Sequence, residues 1–358
     1  MTKIDLLLKE WQSLQPLDEK LERNINQQFM IDFNYNSNHL EGNTLTYGQT
    51  KLLLLFGDTI GNASIQDYEE MKAHNVGLEL MKVEAKDKNR KLSEHFIREL
   101  NQTILVRDFY KTSRAGDFRY KINVGVYKTR PNSVITPTGE IFDYASPEET
   151  PALMSDLIDW YRDEEERERL KIEELAALFH YRYIRIHPFE DGNGRIARLL
   201  VNYILLRHNY PMLVIRTDDR NNYLKILHQC DQLTGKVPYD GAHATLQQAK
   251  PLINYISAIL ENKLTALIQL VKGEISEFVE AKEKEESGQK KVVRKGGQKR
   301  WSEVLALIKE NPKITRKELS ERLGINPSAV QKHIQKLKID GLIERIGSDK
   351  TGYWKIKN

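Results

Sequence analysis

Apolar residues recur at three- and four-residue spacing over most of the chain, and that period predicts helices at about 4–14, 18–34, 46–56, 64–86 and 93–107. Between the second and third of these lies Ser37-Asn38-His39-Leu40-Glu41-Gly42-Asn43, which reads as turn chemistry with Gly42 breaking the pattern. From about Ala115 the period shortens to alternation. Asn123–Tyr127 and Val134–Thr136, on either side of Thr129-Arg130-Pro131-Asn132-Ser133, read as a hairpin. Helix resumes at Pro151, where a first-turn proline costs little, and Asp163–Arg169 follows as a solvated Glu/Arg-rich surface. Leu175, Leu178, Phe179 and Tyr183 carry a helix that Pro188 should stop near His187. Ile196, Leu199, Leu200, Tyr203, Ile204 and Leu206 mark a largely buried helix ending at His208. Another begins over Thr217–Asn222 and carries Tyr223, Leu224, Ile226 and Leu227, and a long one spans about 249–281.

The tail has its own pattern. Trp301–Lys309 is one helix, Thr315-Arg316-Lys317-Glu318 opens a second with a capping box, and Asn326-Pro327 starts a third that runs to about Lys338. Leu342–Ile346 and Tyr353–Ile356 follow as two strands about a turn at Gly347–Lys350. Three helices and a hairpin resemble a winged helix-turn-helix, with Ser328, Gln331, Lys332 and Gln335 on the face that would enter a DNA major groove.

Charge separates the two parts. The 358 residues carry +4, yet Gln298 to the end holds 14 Lys+Arg against 7 Asp+Glu, leaving 41 against 44 for the rest. A basic tail on a near-neutral body calls for nucleic acid or another acidic partner at the tail. Hydrophobic content of 40% and charge of 30% suit a soluble globular protein of two or three domains. The apolar run Leu52–Phe56 is only five residues, short of a membrane span. Asp5, Lys9 and Glu10 interrupt any signal-peptide pattern. The single cysteine, Cys230, excludes an internal disulfide and suits a reducing cytoplasm.

The chemistry concentrates in His187-Pro188-Phe189-Glu190-Asp191-Gly192-Asn193-Gly194-Arg195, continuing to Arg198. A Gly-Asn-Gly turn feeding a helix start exposes N–H groups that attract phosphate and lets a ligand approach the backbone. Arg195 and Arg198 share one face of the first turn, the end where a helix dipole disfavours cations, which makes sense if a polyanion or a buried carboxylate sits between them. Asp191 beside a phosphate cradle would hold Mg²⁺, and His187 is the group that can take a proton near neutral pH. A Walker-type P-loop does not fit, because no Lys-Ser/Thr follows the glycines.

This run resembles the full signature of the Fic family, His-x-Phe-x-Asp/Glu-Gly-Asn-Gly-Arg-x-x-Arg, and Ser37–Gly42 is similar to that family's inhibitory motif, Ser/Thr-x-x-x-Glu-Gly/Asn. The resemblance covers roughly residues 10–260. It implies a mainly α fold: a Fic-type helical domain with a short β-hairpin flap, joined here to the small C-terminal winged helix-turn-helix. The expected division is an N-terminal helical region with the inhibitory motif (1–110), a Fic catalytic domain (111–281), a charged linker (282–297) and the winged module (298–358).

It further implies transfer of AMP from ATP to Ser, Thr or Tyr hydroxyls of a target protein and of the chain itself. His187 takes the hydroxyl proton and Asp191 holds Mg²⁺. Gly192, Asn193 and Gly194 stabilise the α-phosphate, Arg195 grips the β- and γ-phosphates, and Arg198 orients the γ-phosphate. Ser37, Glu41 and Gly42 form the inhibitory segment, with Glu41 set against Arg198. Tyr223 and Leu224 fall near the adenine, although many relatives have a second tyrosine where this chain has Leu224, and some have Asn where it has Asp231. The partners allowed are ATP, a protein target, DNA through residues 298–358, and a second copy of the chain. The alternative readings are a DNA-binding regulator using the Fic domain as a nucleotide sensor, and a Fic-fold transferase with another phosphate donor.

Overall fold

Thr2 caps the first helix: its hydroxyl accepts from the Asp5 amide while the Asp5 carboxylate takes the Thr2 N–H. The computed structural model describes residues 1–59, 61–112, 118–135, 141–235, 241–286, 297–339, 342–347 and 352–356. In order these form α1 (Lys3–Ser13), α2 (Glu19–Leu40), α3 (Tyr47–Phe56), α4 (Ile65–Lys86), α5 (Glu94–Leu105), β1 (Phe109–Thr112), β2 (Arg119–Ile122), β3 (Ser133–Ile135) and β4 (Ile141–Asp143). There follow α6 (Thr150–Arg167), α7 (Ile172–Ile186), α8 (Asn193–Arg207), α9 (Arg220–Thr234), α10 (Lys250–Glu286), α11 (Gly297–Glu310), α12 (Arg316–Leu323), α13 (Pro327–Ile339), β5 (Ile343–Ile346) and β6 (Tyr353–Ile356). No helix among the described residues is long and apolar enough to cross a membrane.

The chain forms two units, Met1–Thr44 with Ile65–Ile275, and Leu45–Ser64 with Ser276–Asn358. In the first, α7 and α8 lie side by side with α4 and α5 against α8 and α6 against α7. Their shared core includes Phe179, Tyr181, Tyr183, Tyr203 and Ile204, all fully buried. At about 25 cal/mol per Å² of apolar surface, burying side chains of this size makes α7 and α8 the rigid base of whatever sits between their ends.

The structure departs from the sequence pattern in two places. The hairpin over 123–136 is instead two hairpins, β1 with β2 and β3 with β4, both antiparallel. Residues 123–127 cannot join a ladder because their donors are taken: the Val124 amide goes to Asp108 Oδ1 at 3.0 Å and the Gly125 amide to Asn101 Oδ1 at 2.8 Å. Second, α2 does not stop near residue 34 but runs to Leu40. Its last turns are Asn- and Ser-rich, poor helix formers, yet Asn34, Asn36 and Asn38 each return an amide to the carbonyl four residues back, at 2.8 Å. Ser37, Asn34 and Asn38 are buried, so contacts made outside the helix override local propensity.

In the second unit the winged module has the expected order. Thr315 and Glu318 form the capping box of α12, Gly324 closes that helix at φ +60°, and β5 pairs antiparallel with β6. Trp354 is buried, donating its indole N–H to the Ile314 carbonyl at 3.1 Å. Leu52 of α3 belongs to the same apolar cluster as Val304, Ile308, Leu319, Val330 and Ile334. Residues 45–64 thus group with the C-terminal part of the chain. Most of the expected linker, 287–296, lies outside the described residues.

Candidate active site

His187 ends α7. Pro188 removes the next helical donor, and His187 turns into the left-handed region at φ +52°, with its amide still bonded to the Tyr183 carbonyl. Its Nδ1 faces the Ile184 carbonyl at 3.3 Å. A carbonyl only accepts, so Nδ1 carries the hydrogen and Nε2 is the basic nitrogen. The Tyr144 ring stacks on the imidazole, with centroids 3.9 Å apart and planes 9° from parallel.

The loop from His187 returns to α8 through Gly192, which caps that helix at φ +82°. A side chain there would be strained by the backbone and would press on Ile104 and Asn101. Asn193 closes the loop on itself: its Oδ1 accepts from the Phe189 amide at 3.0 Å and its Nδ2 donates to the Phe189 carbonyl at 2.6 Å. The side chain expected at the α-phosphate is therefore occupied by the loop backbone. The α8 N-terminus remains the anion cradle, since its first amides have no carbonyl within the helix.

Both arginines are buried, and each is engaged. Arg198 donates from Nε to Ser37 Oγ at 3.0 Å, and from Nη2 to the Ser37 carbonyl at 2.8 Å and to Glu41 Oε1 at 2.7 Å. Arg195 donates to Asp191 Oδ1 at 3.2 Å. The Glu41 carboxylate covers Gly194 so closely that a Cβ built there would overlap Oε1. Glu41 thus occupies an anion position over the cradle, between Arg198 and the α8 N-terminus. Gly42, at φ +100°, turns the chain away after it.

Asp191 pairs with Lys111 of β1 as well as with Arg195. Among the described residues no cluster of three metal-ligating side chains occurs. A single carboxylate beside a phosphate cradle still fits Mg²⁺, which takes one or two carboxylates and completes its shell from phosphates and water. Tyr223 is buried, with its hydroxyl 2.8 Å from His180 Nε2 and its ring stacked on Tyr255, whereas Leu224 is at the surface. Asp231 accepts from Tyr181 and from the buried Arg185, each at 2.9 Å.

The Fic/DOC family profile matches residues 91–205, and a winged helix-turn-helix DNA-binding profile matches 302–344. A crystal structure of a Fic domain-containing signaling protein from Bacteroides thetaiotaomicron is 61% identical, with a TM-score of 0.72 over 76% of this chain and 97% of that one. The chain belongs to the Fic family. The protein adenylyltransferase fic-1 of Caenorhabditis elegans is 30% identical over 254 residues, 69% of this Fic chain and 46% of the relative. Residues 134–508 of C. elegans Fic-1, as a solved structure, superpose with a TM-score of 0.56 at 26% identity, over 74% of this chain and 69% of that one. The protein adenylyltransferase Fic of Nematostella vectensis is 29% identical over 197 residues, 55% of this chain and 42% of its own length. The chain spans less than half the length of these curated relatives.

Charge in this Fic site is arranged by burial first. Burial works to raise the Glu41 carboxyl, but the charge and hydrogen bond of Arg198, with Arg195 behind it, outweigh that and hold it below its ordinary value. Burial likewise opposes ionisation of Asp191, and Lys111 and Arg195 reverse the balance and hold it low. His187 is driven down to about 3 by burial and by the charge of Lys128, against the pull of the Ile184 carbonyl, Glu41 and Asp191. The imidazole is therefore neutral at pH 7, the form a proton acceptor needs.

Four residues of the site carry no signal in the sequence. Asn101 of α5 donates to the Asp191 carbonyl at 2.9 Å, tying the loop to the helix behind it. Tyr144 supports the imidazole, and Lys128 borders the loop. His74 of α4 is fully buried, with Nδ1 2.7 Å from Asn34 Oδ1 and Nε2 3.1 Å from Ser37 Oγ, so it orients the hydroxyl that Arg198 reads.

Burial sets His180 at about 3, and burial with the charges of Arg195 and Arg198 holds His74 well below 6.5. Both are neutral when folded and regain their ordinary pKa when unfolded. Their contribution is whole above about pH 6.5 and is lost as pH falls below it, by about 1.4 kcal/mol per pH unit for each histidine. Urea unfolding at pH 7.5 and 5.5 is expected to show a lower midpoint at the acid value, and replacing His180 with Gln should narrow that difference without abolishing it, since His74 remains.

Proposed function

We propose that this chain transfers AMP from ATP to a hydroxyl of a protein, and that Glu41 holds the enzyme in a restrained state. The observation that carries the reading is the Glu41 carboxylate seated on the Arg198 guanidinium and over Gly194 in the first turn of α8, the helix that follows the His187 loop. The target Ser, Thr or Tyr oxygen attacks the α-phosphorus as His187 Nε2 accepts its proton. The new bond is oxygen to α-phosphorus, the bond that breaks joins the α-phosphorus to the bridging oxygen, and pyrophosphate leaves. The first amides of α8 and Arg195 take the phosphate oxygens, and Arg198 takes the γ-phosphate once Glu41 has withdrawn. Asp191 would hold Mg²⁺, which when bound neutralises phosphate charge. Positioning and charge neutralisation are the main contributions to reactions of this type. The names of the relatives support adenylyl transfer, and the neutral imidazole supports a proton acceptor at that position. The test is mass spectrometry of the full chain incubated with ATP and Mg²⁺, read for the mass of AMP on a hydroxyl side chain. Incorporation of a bare phosphoryl group would move the chain to another transfer class.

A second activity is favoured by the winged module. Ser328, Gln331, Lys332 and Gln335 of α13 are all exposed on a basic domain. We infer that this face binds duplex DNA, with affinity falling steeply as salt rises. The one buried cysteine supports a cytoplasmic setting.

A further inference from the structure

Lys128 is 3% exposed, and no carboxylate among the described residues lies within ion-pair distance of its ammonium. Its Nζ donates to the Ile186 carbonyl at 2.9 Å and to Asn132 Oδ1 at 2.9 Å, and its backbone amide donates to the Pro188 carbonyl at 2.8 Å. One residue thus grips the chain on both sides of His187. Asn132 adds a third hold, donating to the Phe189 carbonyl at 3.0 Å. Thr129 and Arg130 extend the seam to Glu190, Arg130 at 2.7 Å.

We propose that Lys128 is the positioning residue of the reaction: it clamps the His187 turn and, when protonated, sets a positive charge against the imidazole. This rests on His187 being the proton acceptor. A neutral donor would serve the clamp alone, and burying an ammonium with no carboxylate beside it is costly, so the charge needs its own explanation. The incoming nucleotide supplies one. A triphosphate brings several negative charges to within reach of His187, and they favour the imidazolium, the form that cannot accept a proton. Glu41 and Asp191 push the same way, while the Tyr144 ring covers one face of the imidazole without charge. Lys128 is the cation that opposes them. Burial brings its own pKa down to about 7, against the weaker pull of Glu149, so the counter-charge weakens as pH rises past neutrality.

The experiment uses the full chain with Lys128→Met, and Lys128→Gln as the variant that keeps a donor for Ile186 but loses the charge. Ring ¹⁵N shifts of His187 are read at pH 5.5 without nucleotide. The parent ring should stay neutral, and both variants should show a protonated fraction. In the Glu41→Gly background the acid limb of the kcat profile should move to higher pH in both variants. Lys128→Met alone should add a fall in kcat of about tenfold or more at pH 7.5, with the KM for ATP little changed, because the loss is in placement of the base. If Lys128→Met does not fold, Lys128→Gln still tests the charge. A folded variant with a neutral His187 ring and an unmoved acid limb overturns the proposal. A Glu41→Gly parent that transfers no AMP overturns the function proposed above instead, and the ring shifts still decide the role of Lys128's charge.

Discussion

Replacing Glu41 with Gly is expected to raise self-modification by ATP and Mg²⁺ about 10²-fold, with a much smaller change in nucleotide affinity. The carboxylate lies 2.7 Å from Arg198 Nη2 and covers Gly194, so it competes for one end of the polyphosphate and leaves the rest of the cradle open. ATP can then bind with its α-phosphate out of line, and an error of about 1 Å in a near-attack geometry costs on the order of 10² in rate. Arg198→Ala should not mimic the activation, because it removes the γ-phosphate ligand along with the inhibitory partner. Mass spectrometry over a time course, with ATP affinity from calorimetry, separates the two effects. A Glu41→Gly chain no faster than its parent would return Ser37–Gly42 to the role of a helix end.

His187→Ala should act in the opposite sense. Loss of a general base costs typically 10²–10⁴ in rate, and the phosphate contacts of α8, Arg195 and Arg198 are untouched, so ATP binding should stay within about twofold. The measurement belongs in the Glu41→Gly background, where the parent rate is high enough for such a drop to be read. Unimpaired transfer would move the proton acceptor elsewhere.

The 187–198 stretch is legible in the sequence because local rules shape it. Pro188 must end a helix, Gly192 must turn, and the following apolar period must be a helix with a free N-terminus. The Glu41–Arg198 pair is legible only through the family motif, since residues 157 apart carry no local sign of contact. The last turns of α2 read as a loop in the sequence because Asn and Ser score poorly for helix and their tertiary partners are invisible in one dimension. The pairing of the hairpins is illegible for a related reason: alternation marks extended backbone but not which acceptor receives each amide, and the Asp108 and Asn101 side chains take two of them. Lys128 reads as an ordinary solvated lysine until the fold places Ile186 beside it, and His74 as one more polar residue on an amphipathic helix.

The end of α2 carries a consequence for kinetics. Its polar side chains are held from outside: Asn34 by Asn75 and His74, Asn36 by the backbone and hydroxyl of Thr217, Ser37 by His74 and Arg198. From Asn34 to Leu40 these buried hydrogen bonds are the main ties, and Leu40 is the one residue of the stretch that belongs to the apolar cluster. Opening this turn exposes Leu40 as its one core side chain, so it belongs to a small sub-global unit with a low denaturant dependence of its own. Release of Glu41 can then proceed on the timescale of local opening while the frame that aligns His187 with the α8 N-terminus stays folded.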